Sequence, residues 1–248
     1  MAVLDQTRGS DYAIWCVAAL LYVFDAAKLL SPRELLLVEA RGGRLAAIFS
    51  GNPFTLAGRV LEFGPLLRPD RGVLLAPWGQ PWVPDAALES AIQAVERLRA
   101  SLLVPRVLAS AGFALLFVVG PALTLLVGPN AAVVYTAAVL YSTAFTAIGC
   151  LWWQRQRFGL TITHSAWVSV EILLCPAFLP NLVRKITGSH LLQADGAQIL
   201  SATASADVKE EVLARLASRA EELMEAASPD SIEEEQLRSY LGTLRGKP

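Results

Sequence analysis

Apolar and polar residues are distributed along this chain in blocks. From Val107 to Trp153 there are about 47 consecutive positions without Asp, Glu, Lys, Arg or His, more than twice the ~20 apolar residues that cross a bilayer. The run is broken once, at Gly128-Pro129-Asn130, where proline removes a backbone donor and glycine permits unusual dihedrals. The pattern predicts a transmembrane helical hairpin over 107–153. Gly120-Pro121 predicts a kink in its first arm. The second arm carries Tyr135, Thr136, Tyr141, Ser142, Thr143 and Thr146, whose hydroxyls can bond between helices or back to their own turns.

A shorter apolar run opens the chain. Tyr12 to Phe24 is uncharged, with Asp5, Arg8 and Asp11 before it and Asp25 and Lys28 after it. A start whose single Arg8 stands between two acids, and the lack of an Ala-x-Ala site, argue against a cleaved signal peptide. Residues 1–30 are therefore expected to form an uncleaved first transmembrane helix, with an interfacial amphipathic helix as the alternative. If it extends to Leu30, Asp25 and Lys28 pair at i and i+3.

Between 31 and 85 the period changes. Glu34 to Glu39, Arg44 to Ser50, Phe54 to Phe63 and Val73 to Ala76 are short bounded apolar runs, which predict a small antiparallel β module of three or four strands. Arg41-Gly42-Gly43-Arg44, Gly51-Asn52-Pro53 and the 68–72 segment have turn chemistry. Asp85 then caps a membrane-approach helix over 86–106, which Pro105 should break or kink.

Residues 158–183 hold one acid, Glu171, with His164, Pro176 and Pro180. Length allows a fourth span, while the prolines suit a re-entrant or interfacial segment. The remainder, 189–248, reads as a soluble acidic tail. Asp195-Gly196 is a turn signal, and two amphipathic helices follow between 207 and 245, the second opening on the Ser231-x-x-Glu234 capping box. The expected fold class is thus membrane α-helical: a transmembrane hairpin plus N-terminal helix, with a small antiparallel β module and a C-terminal amphipathic helical pair.

Composition agrees with this division. Of 248 residues, 54% are hydrophobic and 17% charged, against roughly 25% charged in ordinary soluble domains. A net charge of −1 provides no basic field for nucleic acid. Cys16, Cys150 and Cys175 are odd in number and lie in apolar stretches, which suits neither a disulfide framework nor zinc ligation.

The hairpin turn carries no charge, whereas its bases carry Arg97, Arg99 and Arg106 on one side and Arg155 and Arg157 on the other. By the positive-inside rule both bases are cytoplasmic. Three spans, a non-crossing 158–183 segment and a cytoplasmic tail satisfy that rule best, because a fourth span would export Arg184-Lys185.

The candidate intramembrane ionisable positions are His164 and Glu171. They share a helical stripe with Trp167, Val168 and Cys175 but stand two turns apart, roughly 10 Å by helical rise. Apolar Val168 lies between them, so no side-chain relay joins them along this face. An interfacial placement facing headgroups explains the stripe more simply than a catalytic or conductive one. No His-Glu-x-x-His, phosphate loop, nucleophile elbow or EF-hand pattern occurs. No catalytic, cofactor-binding or metal residue is assigned, and enzymatic activity is not expected. The functional expectation is a multi-pass protein of the bacterial cytoplasmic membrane that acts as a non-enzymatic scaffold or accessory subunit, presenting its cytoplasmic modules to protein partners. Its partners are the lipid bilayer and proteins met through the 31–85 module and the 207–245 helices; a homo-oligomer is allowed but not required. The alternative is a subunit of an oligomeric channel or transporter.

Overall fold

The computed structural model describes residues 12–39, 45–48, 54–56, 59–204, 206–226 and 231–246. The turns expected at 41–44 and 51–53, and the flanking charges Asp5, Arg8 and Asp11, lie outside the described residues. The chain is mostly helical, with strands in two small sheets, and divides into two compact units.

The first unit comprises Met1–Lys28, Phe63–Gly72 and Arg97–Ser189. Helix α1 (Ala13–Ala26) leads into strand β1 (Ala27–Leu30). Helix α2 (Asp85–Ser101) is shared by the two units. A helical turn at Leu102 separates it from α3 (Leu103–Ala114), whose first turn contains Pro105. The break falls where the sequence places it, because proline is tolerated in a first turn and not in a helix interior.

A π-helical stretch, Leu115–Val119, joins α3 to α4 (Gly120–Val127), and Pro121 stands in the first turn of α4. The expected kink is therefore a local change in winding, which relieves the clash of the proline ring with the preceding turn. Gly128 reverses the chain at φ +88°, a conformation open to glycine, and α5 runs from Pro129 to Gln154. Along α5 the buried positions are Ala132, Thr136, Leu140, Ala144, Ala147 and Leu151, a stripe of mainly small residues that lets helices approach closely. The hydroxyls of Ser142, Thr143 and Thr146 donate to carbonyls one turn back in α5.

Leu103–Val127 and Pro129–Gln154 are both long and apolar enough to cross a membrane. At 1.5 Å per residue they span about 37 and 39 Å, against a hydrocarbon core of about 30 Å. The helix expected as a first span is shorter: α1 has 14 residues, about 21 Å. It ends at Ala26 instead of reaching Leu30, because the chain turns extended at Ala27. The 158–183 segment is not one helix either. It contains α6 (Ile162–Leu174), a 3₁₀ segment (Pro176–Asn181) and the start of α7 (Leu182–Thr187), as its two prolines require.

The second unit comprises Leu29–Glu62, Val73–Glu96 and His190–Pro248. Instead of one sheet of three or four strands, it is built around two three-stranded sheets. One has the order β3-β2-β6, from β2 (Glu34–Glu39), β3 (Leu45–Ile48) and β6 (Val73–Pro77); the other has the order β1-β5-β4, with β4 (Phe54–Leu56) and β5 (Arg59–Phe63). The run read as a single strand, Phe54 to Phe63, folds as the antiparallel pair β4–β5. Strand β1 replaces the last residues of the helix expected over 1–30, because the chain turns extended at Ala27.

Strand β2 is buried from Leu35 to Val38, so both its faces are covered. Leu36 and Val38 join Leu30 and Val73 in one cluster. On the other face Leu35 pairs with Ala76. Both lie under Gly196, where a side-chain carbon would come within 3.0 Å of Leu35 and 3.2 Å of Ala76. Glycine there allows α8 (Gly196–Thr203) to sit on the sheet. The amphipathic pair follows as α9 (Ala206–Ala226) and α10 (Ile232–Leu244). Val212, Leu216, Ala220, Leu237 and Leu241 are buried, and the Ser231 hydroxyl caps α10 by accepting from the Glu234 amide at 3.2 Å.

Candidate functional site: a buried ionic cluster in the helical unit

The polar side chains of the first unit converge on Lys185. Its Nζ donates to Asp25 Oδ1 and to Glu171 Oε2, each at 2.6 Å. Asp25 Oδ2 accepts from Asn181 Nδ2 at 2.9 Å, and the same amide reaches the Tyr22 carbonyl at 3.0 Å. The Arg184 guanidinium donates to Asn181 Oδ1, to the Tyr22 hydroxyl at 3.3 Å and to the Pro65 carbonyl. The Tyr22 hydroxyl in turn donates to the Leu66 carbonyl. One network thus joins α1, α6, the 3₁₀ segment, α7 and the 63–72 segment. Arg184 is 3% exposed and Asn181 fully buried. Buried charges are tolerated only when paired or hydrogen-bonded: Lys185 has two carboxylates, while Arg184 is held by three neutral oxygens with its Nε left unbonded.

Local sequence explains how each group arrives. Pro176 and Pro180 force the tight 3₁₀ winding, which brings Asn181, Arg184 and Lys185 round within two turns. Tyr22 and Asp25 are at i and i+3 on the last turns of α1 and so share a face. Above them Tyr22 meets Phe113 and Phe117 edge-on, at 5.8 and 5.3 Å between ring centroids. Further along α1, Trp15 Nε1 donates to Thr124 Oγ1 at 2.9 Å, and that hydroxyl donates to the Gly120 carbonyl at 3.1 Å. The Trp15 ring lies so close to Gly120 that a side chain there would overlap it.

Both sequence candidates belong to this network, though not to each other. Glu171 is held by the Lys185 ammonium, while His164 Nε2 lies 3.1 Å from the Lys185 carbonyl oxygen. Two helical turns apart, they meet the same residue through different atoms. Of the other stripe members, Val168 is buried and Trp167 is exposed. The expected Asp25–Lys28 pair does not form, because α1 ends at Ala26 and Lys28 lies in β1. Asp25 takes Lys185 instead. Lys28 packs against Gly188, its Nζ 3.4 Å from where a side-chain carbon at 188 would stand. Burial, and then the neighbouring Lys185, hold its pKa below the ordinary lysine range, against the opposing pull of Asp25 and Glu171.

The sequence reading missed Lys185 and Arg184 as site residues. A Lys-Arg pair after an apolar run looks like a membrane flank, yet Arg184 is buried and Lys185 nearly so. Two prolines just before a polar Asn-x-x-Arg-Lys run were the available sign that the chain folds back.

The second unit has its own polar node. Asp195, read as part of a turn, is the N-cap of α8, its carboxylate accepting from the amides of Ala197 at 2.9 Å and Gln198 at 3.4 Å. It also accepts from the Gln80 amide at 3.2 Å and the Tyr240 hydroxyl at 3.0 Å. Burial raises the Asp195 pKa despite these four donors, and burial together with Asp195 raises that of Tyr240. Beside this node a cleft of about 660 Å³ runs between the Gly79–Trp82 loop and α10. Among the described residues no group of three or more His, Cys, Asp or Glu could hold a metal ion.

No protein-family model matches the chain, and comparison with curated proteins and with solved structures finds no match.

Proposed function

We propose that this chain is an integral membrane protein whose helical hairpin anchors a folded module, formed by the second unit, for interaction with protein partners. The observation that carries the membrane reading is the exposure of the two long apolar helices. Only 22% and 28% of their most apolar windows are buried. Leu126 is 78% exposed and Trp153 89% exposed, with Val134, Tyr135 and Phe145 also facing outward. A core helix of a soluble protein would bury such residues, and a signal sequence would lie at the start of the chain instead of at 103–154. Exposed apolar surface on this scale needs lipid or a partner to cover it.

The arginines at both hairpin bases favour a cytoplasmic module. The non-enzymatic reading is supported by the ionic cluster, in which Lys185 is held by two carboxylates and acts as a tie between segments. The channel or transporter alternative draws less support. The Ser142, Thr143 and Thr146 hydroxyls bond within α5, the Gly120 kink is packed by Trp15, and Glu171 is already paired.

The test uses the full-length chain in a bacterial host. The protein should stay in membranes washed with alkaline carbonate. A cysteine at Gly128, in a background lacking the three native cysteines, should react with an impermeant maleimide from outside, and one at Gly188 only after lysis. Release by carbonate would overturn the anchor. The presenting role predicts a crosslinked protein partner that disappears when 207–245 is deleted; an unchanged crosslinking pattern would overturn that role alone.

A further inference from the structure

The cleft in the second unit has two walls, and one carboxylate holds both. On one side runs the Gly79–Trp82 loop, on the other the face of α10 from Glu235 through Gln236, Ser239 and Tyr240 to Thr243. Asp195 accepts from the Gln80 amide in the loop and from the Tyr240 hydroxyl on α10. The loop is also pinned at both ends. The Trp78 amide donates to the Arg33 carbonyl at 3.0 Å, and the Val83 backbone exchanges two hydrogen bonds with the Gln198 side chain, at 3.0 and 2.7 Å. Between them Gly79 turns at φ +79°, a conformation that favours glycine. Walls fixed in this way leave a groove that needs little ordering to accept a ligand.

The lining selects among the ways a folded domain takes a peptide. A phosphorylated or acidic segment needs a cluster of arginines. Among the described residues Arg33 is the only basic one in the lining, and Glu235 balances its charge. An added strand needs an open sheet edge, and these walls are a loop and a helix. An amphipathic helix needs a hydrophobic groove for its anchors, whereas Gln80, Gln236, Ser239 and Thr243 make much of this one polar. There remains Trp82, 40% exposed, beside Pro81, with amide and hydroxyl donors across the groove. A polyproline-type helix has no internal hydrogen bonds, so its carbonyls are open to those donors and its proline rings pack on the indole. The length fits as well: Glu235 to Thr243 covers about 12 Å of helix axis, matched by about four polyproline residues at roughly 3.1 Å each. We infer that this cleft binds a neutral, proline-rich extended segment of a partner protein, with Trp82 as its anchor. The occupant rests on the presenting role proposed above; the build of the cleft does not.

The experiment uses purified full-length protein in detergent and reads the fluorescence anisotropy of labelled peptides: decaproline, a Gly-Ser decapeptide and the same Gly-Ser peptide carrying phosphoserine. Saturable binding of decaproline alone is expected. Trp82→Ala should weaken it roughly thirtyfold, the scale of losing one aromatic anchor. Ser239→Tyr, at an exposed position of α10, should fill the groove and abolish binding at an unchanged unfolding midpoint, and it decides the question if Trp82→Ala does not fold. Lys209→Gln, exposed on α9 and outside the cleft, should leave binding unchanged. Absence of saturable decaproline binding, binding indifferent to Trp82 and Ser239, or preference for the phosphoserine peptide overturns the inference. The crosslinking test keeps the two readings apart. A partner lost on deleting 207–245 but retained in Ser239→Tyr leaves the presenting role standing and overturns the cleft as its docking place. Decaproline binding blocked by Ser239→Tyr, with no crosslinked partner, supports the cleft and counts against the presenting role alone.

Discussion

The ammonium of Lys185 donates to the carboxylate of Asp25 across 2.6 Å, joining residues 160 positions apart in the chain. This bond ties the end of α1 to α7, and Glu171 shares the same ammonium from α6. Replacing Lys185 by Met keeps much of the volume and removes the charge, leaving two largely buried carboxylates facing each other. Breaking one side of a buried pair costs about 3–5 kcal/mol; the 27% exposure of the Glu171 side chain places the expected loss toward the lower end. Thermal unfolding of the detergent-solubilised protein should show a marked fall for Lys185→Met and a smaller one for Asp25→Asn, which leaves Lys185 its second partner. Equal, small effects would mean that the cluster is not a structural tie.

In the second unit, the Asp195 carboxylate gives a pH dependence of defined sign. Its folded-state pKa is raised above the ordinary aspartate range, with burial the main cause. The folded state therefore holds this proton more tightly than the unfolded chain. The associated stability is fully present below the unfolded value and is lost as pH rises through the folded value. Unfolding followed from acid toward neutral pH should contain a destabilising component that vanishes in Asp195→Asn. Tyr240→Phe removes one donor to the carboxylate. It should cost about 1 kcal/mol and raise the Asp195 pKa further, moving the component to higher pH.

The parts of this fold that were legible in the sequence are those set by local chemistry. The uncharged run predicted α3 to α5, the Gly128 turn was marked by its Gly-Pro-Asn sequence, and Ser231 with Glu234 marked the start of α10. Asp195 was visible as a polar residue before glycine but was read as a turn. The same Asp-Gly pair also suits a helix cap, and only the sheet beneath Gly196 selects that role. The ionic cluster was the least legible. Tyr22, Asp25, Glu171, Asn181, Arg184 and Lys185 come from separate segments, and periodicity within one segment carries no information on which segments meet. His164 and Glu171 were singled out because ionisable residues inside a long apolar run are rare. Lys185, which both of them contact, was hidden by its resemblance to a membrane flank.

Two glycines in the apolar helices should answer differently to the same substitution. At Gly120 a methyl group would overlap the Trp15 indole, and that ring is held in place by its bond to Thr124. Gly120→Ala must displace either α1 or the π-helical winding before it. Overpacking of this kind typically costs about 1–3 kcal/mol. At Gly149, in the C-terminal part of α5, no atom beyond the surrounding helix backbone lies within 4 Å of the added carbon. Gly149→Ala should be neutral, or stabilising by about 0.5–1 kcal/mol through helix propensity. Unfolding midpoints of the two variants, compared with the unsubstituted protein in the same detergent, give the contrast directly. Trp15→Phe on the Gly120→Ala background separates the causes: it removes the indole's fused ring, so a steric origin predicts partial recovery, whereas a defect intrinsic to the helix predicts none. If Gly120→Ala is as harmless as Gly149→Ala, the packing of α1 on this kink is not the contact that holds the helix in place.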